Sequence, residues 1–137
     1  MGAIEIRCID HVVLRVRDIA ASKRFYCDAL GCSVERESEA LGLHQLRAGA
    51  SLIDLVPVAG PLGRLGGAGP GAEGRNVDHL ALALTAFDAA TITAHLRAHE
   101  IEPGDVGDRY GAGGMGPSLY IRDPDGNVVE LKGPARS

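Results

Sequence analysis

A chain of 137 residues suffices for one compact domain or two half-size units, and its 45% apolar and 23% charged residues exclude a disordered protein. A formal net charge of -4 leaves no basic footprint for nucleic acid, and no apolar run nears the roughly 18 residues of a membrane-crossing helix. The opening "MGAIEIRCID" lacks the basic head and apolar core of a signal peptide, and Cys8, Cys27 and Cys32 contain no CxxC pair, so reduced thiols in a cytoplasmic protein are expected.

Ile9 to Val16 alternates as a strand, with Val12, Leu14 and Val16 on one face and His11, Val13 and Arg15 on the other. Asp18 stands as the N-cap of a helix through Leu30, with Ala21, Phe25 and Ala29 as its apolar stripe and Gly31 as its left-handed stop. Cys32 to Glu37, Leu41 to Arg47 and Ser51 to Val56 follow as three strands. Pro57 to Arg75 is too rich in Gly and Pro for regular structure and reads as a flexible linker.

The order then recurs. Val77 to Leu84 is a strand, and a helix runs from about Asp88 to about His99 with Ala89, Ile92 and Leu96 at helical spacing. Ile101 to Val106 reads as a further strand. "GAGGMG", Gly111 to Gly116, fits the letters of a dinucleotide-binding motif but leads into Pro117 and a strand rather than a helix, so a mobile lip is expected there. Ser118 to Arg122 and Val128 to Lys132 form a hairpin around "DPDGN", where Pro124 presets the turn and Gly126 relieves it.

The repetition extends to the polar residues. "IDHVVL" begins at Ile9 and "VDHLAL" at Val77, so His11 and His79 hold equivalent places. The last strand of each half carries one carboxylate among apolar neighbours, Asp54 in "SLIDLV" and Glu130 in "NVVELK". A carboxylate in such a strand is costly unless solvated, paired or bound to a cation. Two imidazoles and two carboxylates suit a divalent ion of intermediate softness (Ni, Zn, Fe, Mn or Co).

With its doubled strand-helix-three-strand pattern, "DHVVLRV…FYCDALG" and then "DHLALAL…LYIRDPDGNVVEL", the chain resembles the vicinal oxygen chelate superfamily. That superfamily includes glyoxalase I, extradiol dioxygenases, fosfomycin-resistance enzymes and bleomycin-binding proteins. The resemblance implies an α+β fold of paired βαβββ modules forming a cup-shaped mixed sheet, in a homodimer. On this reading residues 1–137 are one domain, with modules at 8–58 and 76–133 and a linker at 59–75. It also implies that His11, Asp54, His79 and Glu130 are the metal positions.

Fold alone leaves the chemistry open. The favoured expectation is a glyoxalase I-like lyase or isomerase acting on a small carbonyl or thiol-adduct substrate. In it the metal stabilises an enediolate while Glu130 or Asp54 moves the proton. Arg15 matches an arginine that contacts glutathione in such enzymes; Arg75 is a similar match, and Met115 is expected to line a thiol pocket. Tyr120 resembles instead the tyrosine of ring-cleaving dioxygenases and fosfomycin-resistance enzymes, which keeps an extradiol-type dioxygenase open. A metal-free protein that sequesters a small molecule is the third reading.

Overall fold

The computed structural model describes residues 2–136. It is α+β, and each half of the chain builds its own four-stranded mixed sheet. The first compact unit ends at Gly69 and the second begins at Pro70. No helix among the described residues is long and apolar enough to cross a membrane.

In the first unit, β1 (His11–Val16) leads to α1 (Ile19–Lys23) and a π-helical turn (Arg24–Ala29), followed by β2 (Ser33–Ser38), β3 (Leu43–Ala48) and β4 (Ser51–Pro57). The strand order is β1-β4-β3-β2, with β1 parallel to β4 and the other pairs antiparallel. Asp18 caps α1 as expected, accepting from the Ala21 N–H at 3.1 Å, and Gly31 takes φ +82°. The helix is not uniformly α, however. It widens after Lys23, and adjacent Phe25 and Tyr26 are both buried, their rings edge to face at 4.8 Å. Leu14, Val16, Leu46, Ile53 and Leu55 supply the buried apolar positions of the strands. Burial of each such side chain contributes about 1.5–3 kcal/mol.

The face opposite Asp54 has its own polar closure. Glu37 lies directly across from His44 and bonds both His44 Nδ1 and Lys23 Nζ, tying α1 to the sheet edge. These bonds, Lys23 first and His44 second, hold the Glu37 carboxyl below its ordinary value of 4.5.

Part of the expected linker is structured and belongs to the first unit. The Val58 N–H donates to Val16 O at 2.8 Å, and a short 3₁₀ helix follows at Gly63–Gly66. Arg15 closes it. Its Nε donates to Gly63 O at 2.9 Å, Nη1 to Gly66 O at 3.2 Å, and Nη2 to Gly67 O at 2.6 Å and Ala68 O at 3.0 Å. Carbonyls at a helix C-terminus lack intrahelical donors and favour a cation, and a guanidinium fork supplies both needs. Composition suggested a tether; the group that holds Gly63 to Ala68 comes from β1.

In the second unit, β5 (His79–Ala83) leads to α2 (Ala89–Ala98), then β6 (Gly107–Gly111), β7 (Gly114–Arg122) and β8 (Val128–Lys132), in the order β5-β8-β7-β6. Asp88 caps α2 through the Thr91 N–H at 3.1 Å. One expectation is corrected here. Ile101 to Val106 is irregular, since Pro103 cannot donate to a ladder and only the Gly104 N–H reaches β7, at Tyr120 O, 2.8 Å. The Gly-rich stretch is the tip of the β6–β7 hairpin, where Gly114 turns the chain at φ +119°. In "DPDGN", Asp123 fixes the β7–β8 turn by accepting from the backbone N–H groups of Asp125 and Asn127 and from Asn127 Nδ2.

Two outcomes follow from these contacts. Arg15→Met is expected to speed amide exchange in residues 63–68 at least several-fold while leaving β3 and β4 protected; unchanged exchange there would contradict the clamp. The pairing of Glu37 stabilises the fold above its unfolded pKa and is lost as pH falls through the lowered folded value. Acid denaturation monitored by circular dichroism should therefore show a shallower loss of stability below pH 4.5 in Glu37→Gln than in the parent.

Candidate functional site

The two histidines open their strands in the same way. His11 is the first residue of β1 and His79 the first of β5, and each is preceded by an aspartate. Asp10 Oδ2 lies 2.8 Å from His11 Nδ1, and Asp78 Oδ1 lies 2.7 Å from His79 Nδ1. Nε2 then faces the sheet. In the first unit it lies 4.0 Å from Asp54 Oδ2; in the second, 3.4 Å from Glu130 Oε1. Each unit thus presents an aspartate, an imidazole and a strand carboxylate in sequence.

Sheet register explains the placement. β1 and β4 run parallel with His11 opposite Leu52 and Val13 opposite Asp54; β5 and β8 repeat this with His79 opposite Val128 and Ala81 opposite Glu130. The imidazole therefore reaches one step along the same face to its carboxylate. The hydrogen bond from Asp10 raises the His11 pKa above its ordinary 6.5; desolvation opposes it, and the Asp54 charge adds to it. Asp78 is held below its ordinary 3.8 first by its hydrogen bond with His79.

The carboxylates are buried where the histidines are not. Asp54 is 3% exposed and Glu130 6%. Gln45, directly across from Asp54 on β3, donates from Nε2 to Asp54 Oδ2 at 3.1 Å. Asp54 Oδ1 meets no hydrogen-bond donor. A buried carboxylate oxygen left unmatched costs on the order of 1–3 kcal/mol or more. In the first unit that orphaned oxygen and an imidazole whose Nδ1 is already engaged are the kinds of donor a divalent cation takes, hard oxygen and borderline nitrogen, and His79 with Glu130 repeats the pairing in the second. Among the described residues no group of three or more His, Cys, Asp or Glu side chains stands together in an ion-holding arrangement; the donors stand as two pairs, one in each unit.

In the second unit Tyr120 takes the position that Gln45 holds in the first, directly across from the carboxylate. Its ring lies edge to face with His79 at 5.7 Å, and the Arg109 guanidinium lies 4.6 Å from its centroid. The other expected substrate contacts lie differently. Arg15 spends its guanidinium on the Gly63–Ala68 carbonyls. Arg75 makes a long ion pair with Asp78, 3.9 Å. Met115 is half-exposed across from Tyr110 and alternates onto the face opposite Tyr120 and Glu130. Gln45, Arg109, Asp10 and Asp78 were not anticipated. The aspartates had a signal, the repeated "DH"; Gln45 and Arg109 emerge only from cross-strand register.

Comparison with known proteins agrees with this duplicated plan. The model of the Glyoxalase/Bleomycin resistance protein/Dioxygenase superfamily matches residues 8–131. Virulence protein STM3117 of Salmonella typhimurium is 31% identical over 129 residues, spanning 90% of this chain and 81% of that protein. Its crystal structure matches with a TM-score of 0.73 at 29% identity, over 96% of this chain and 100% of the other. An integron cassette protein from the mobile metagenome of V. cholerae matches with a TM-score of 0.73 at 27% identity, over 96% and 98% of the two chains. A glyoxalase family protein of Enterococcus faecalis, 21% identical with a TM-score of 0.68 over 92% and 97%, shares the fold. With two βαβββ units and a family match from Cys8 to Leu131, the chain belongs to the Glyoxalase/Bleomycin resistance protein/Dioxygenase superfamily.

Proposed function

We propose that this chain is a metal-dependent enzyme that moves a proton next to a carbonyl of a small substrate, a lyase or isomerase of the glyoxalase I kind. The observation that carries the reading is the buried Asp54 carboxylate with an orphaned oxygen beside an oriented imidazole, in a unit whose pattern recurs as His79 and Glu130. His11, Asp54, His79 and Glu130 would hold the ion. When bound, a divalent ion such as Ni, Zn, Fe, Mn or Co supplies positive charge that polarises substrate oxygens.

The protein's own groups do the rest. Asp10 and Asp78 fix the imidazole orientation, a role that typically carries a 10–100-fold effect on metal affinity. Glu130 takes a proton from the carbon beside the carbonyl and returns it to the neighbouring carbon, so no other reactant is consumed. Asp54 is one methylene shorter and held by Gln45, which suits holding an ion better than carrying a proton. Engagement of Arg15 with its own loop withdraws support from glutathione as the substrate. Tyr120 beside His79 favours one second reading, an extradiol-type dioxygenase in which the phenol orients a substrate oxygen. We further propose a cytoplasmic homodimer, in keeping with the superfamily; equilibrium sedimentation checks the oligomeric state.

Metal analysis after loading and dialysis tests the core of this reading. About one ion per chain is expected, falling sharply in His79→Ala and weakened roughly 10–100-fold in Asp78→Asn. Glu130→Gln should lower turnover of a hemithioacetal by about 10²–10⁴-fold. A parent protein that retains no stoichiometric ion would contradict the enzyme reading and favour a metal-free binding protein. Oxygen uptake with catechols in the Fe(II)-loaded chain would favour the dioxygenase.

A further inference from the structure

The face that carries Glu130 also carries a cation that the proton-transfer chemistry leaves unused. Arg109 lies on β6 directly across from Gly116, and strand alternation puts it on the face of Gly116, Ser118 and Tyr120. Tyr120 in turn stands directly across from Glu130. A row therefore crosses the second sheet, from the guanidinium through the phenol to the carboxylate and imidazole.

The guanidinium is fixed in that row. Its Nη1 donates to Ser118 O at 2.8 Å and to Ser118 Oγ at 2.9 Å, while its Cζ lies over the Tyr120 ring, 4.6 Å from the centroid. These contacts use one of its three nitrogens. Among the described residues no acceptor meets Nε or Nη2, and no carboxylate pairs with Arg109; neighbouring Asp108 alternates to the other face and is held by Arg136. A part-buried cation without a counter-charge is costly, and a stacked, oriented fork with a free edge matches the two oxygens of an oxyanion. Glu130, buried on the same face, would otherwise repel an acidic substrate.

We infer that Arg109, stacked on Tyr120, forms an oxyanion subsite, so that the molecule bound beside Glu130 carries a carboxylate or phosphoryl group. This deepens the function proposed above and rests on it only for the identity of the reacting groups. Lys132 shares the face, its ammonium bonded to the carbonyls of Gly114 and Gly133, and adds positive charge without offering a fork.

The test uses the full, metal-free chain and the arginine Nε–Hε NMR signals, with that of Arg109 identified by its loss in Arg109→Lys. Inorganic phosphate and acetate are titrated separately at constant ionic strength, with chloride as the balancing salt. The Arg109 signal should shift saturably, while that of Arg97, an exposed partner of Glu102, should not. Binding read on the Tyr120 ring should weaken by roughly tenfold in Arg109→Lys, which keeps the charge and loses the fork. A response to phosphate alone assigns a phosphoryl group, and one to acetate alone assigns a carboxylate; either supports the subsite. No saturable shift with either anion, or equal shifts at Arg97, overturns it. Because no metal is present in this titration, failure of the chain to hold an ion would overturn the proposed function and leave this result standing.

Discussion

An ionised carboxylate accepts hydrogen bonds and cannot donate one, and both site imidazoles have such a group at Nδ1. In the neutral ring the shorter contact, to Asp10 or Asp78, favours the proton on Nδ1 over Nε2, which lies 4.0 Å from Asp54 in the first unit and 3.4 Å from Glu130 in the second. The proposed metal site depends on that constraint. Without Asp10 and Asp78, each imidazole would be free to place its proton on Nε2, where it would satisfy Asp54 or Glu130 internally. The two units would then contain ordinary polar pairs with nothing left to bind a cation.

The arrangement occurs twice, and the two halves are unequal. In the first unit the residue across from the carboxylate is Gln45, whose amide restrains one oxygen of Asp54 and leaves the other unmatched in a buried position. In the second the same place holds Tyr120, which packs between His79 and Arg109 and leaves Glu130 the longer reach. On the proposed function, the first unit would hold the ion and the second would meet the substrate. Arg15 fits this division: it stabilises the chain leaving β4 through four carbonyl contacts. The superfamily match over residues 8–131 establishes the family, and likeness to Virulence protein STM3117 and an integron cassette protein agrees with the fold, while the reaction must be argued from these side chains.

Most of the architecture was legible because it rests on local, repeated signals. The period-two alternation of β1 and β5, the Asp18 and Asp88 caps, and the Gly31 stop each depend on a few neighbouring residues. His11 and His79 were visible as a phrase used twice, and Asp54 and Glu130 as single carboxylates in the last apolar strand of each half. Misreadings arose where a distant strand decides the outcome. Gly111 to Gly116 has the composition of a loop, yet cross-strand bonding makes it a hairpin. Pro57 to Ala68 has the composition of a tether, yet a guanidinium from β1 holds it. Met115 shares a strand with Tyr120, but an odd spacing of five puts it on the other face. Gln45 and Arg109 leave no trace in spacing, since only register brings them beside Asp54 and Tyr120.

The most direct measurement is the tautomeric state of the two imidazoles, read from long-range proton–nitrogen correlations at a pH well above the ordinary imidazole value of 6.5. Free imidazole side chains favour the proton on Nε2, so the two outcomes are distinct. The account predicts His11 and His79 both protonated at Nδ1, with the preference lost in Asp10→Asn and Asp78→Asn respectively. Protonation of either ring at Nε2 in the parent protein would contradict it, because that nitrogen would then be a donor to the strand carboxylate and the aspartate at Nδ1 would not be setting the tautomer.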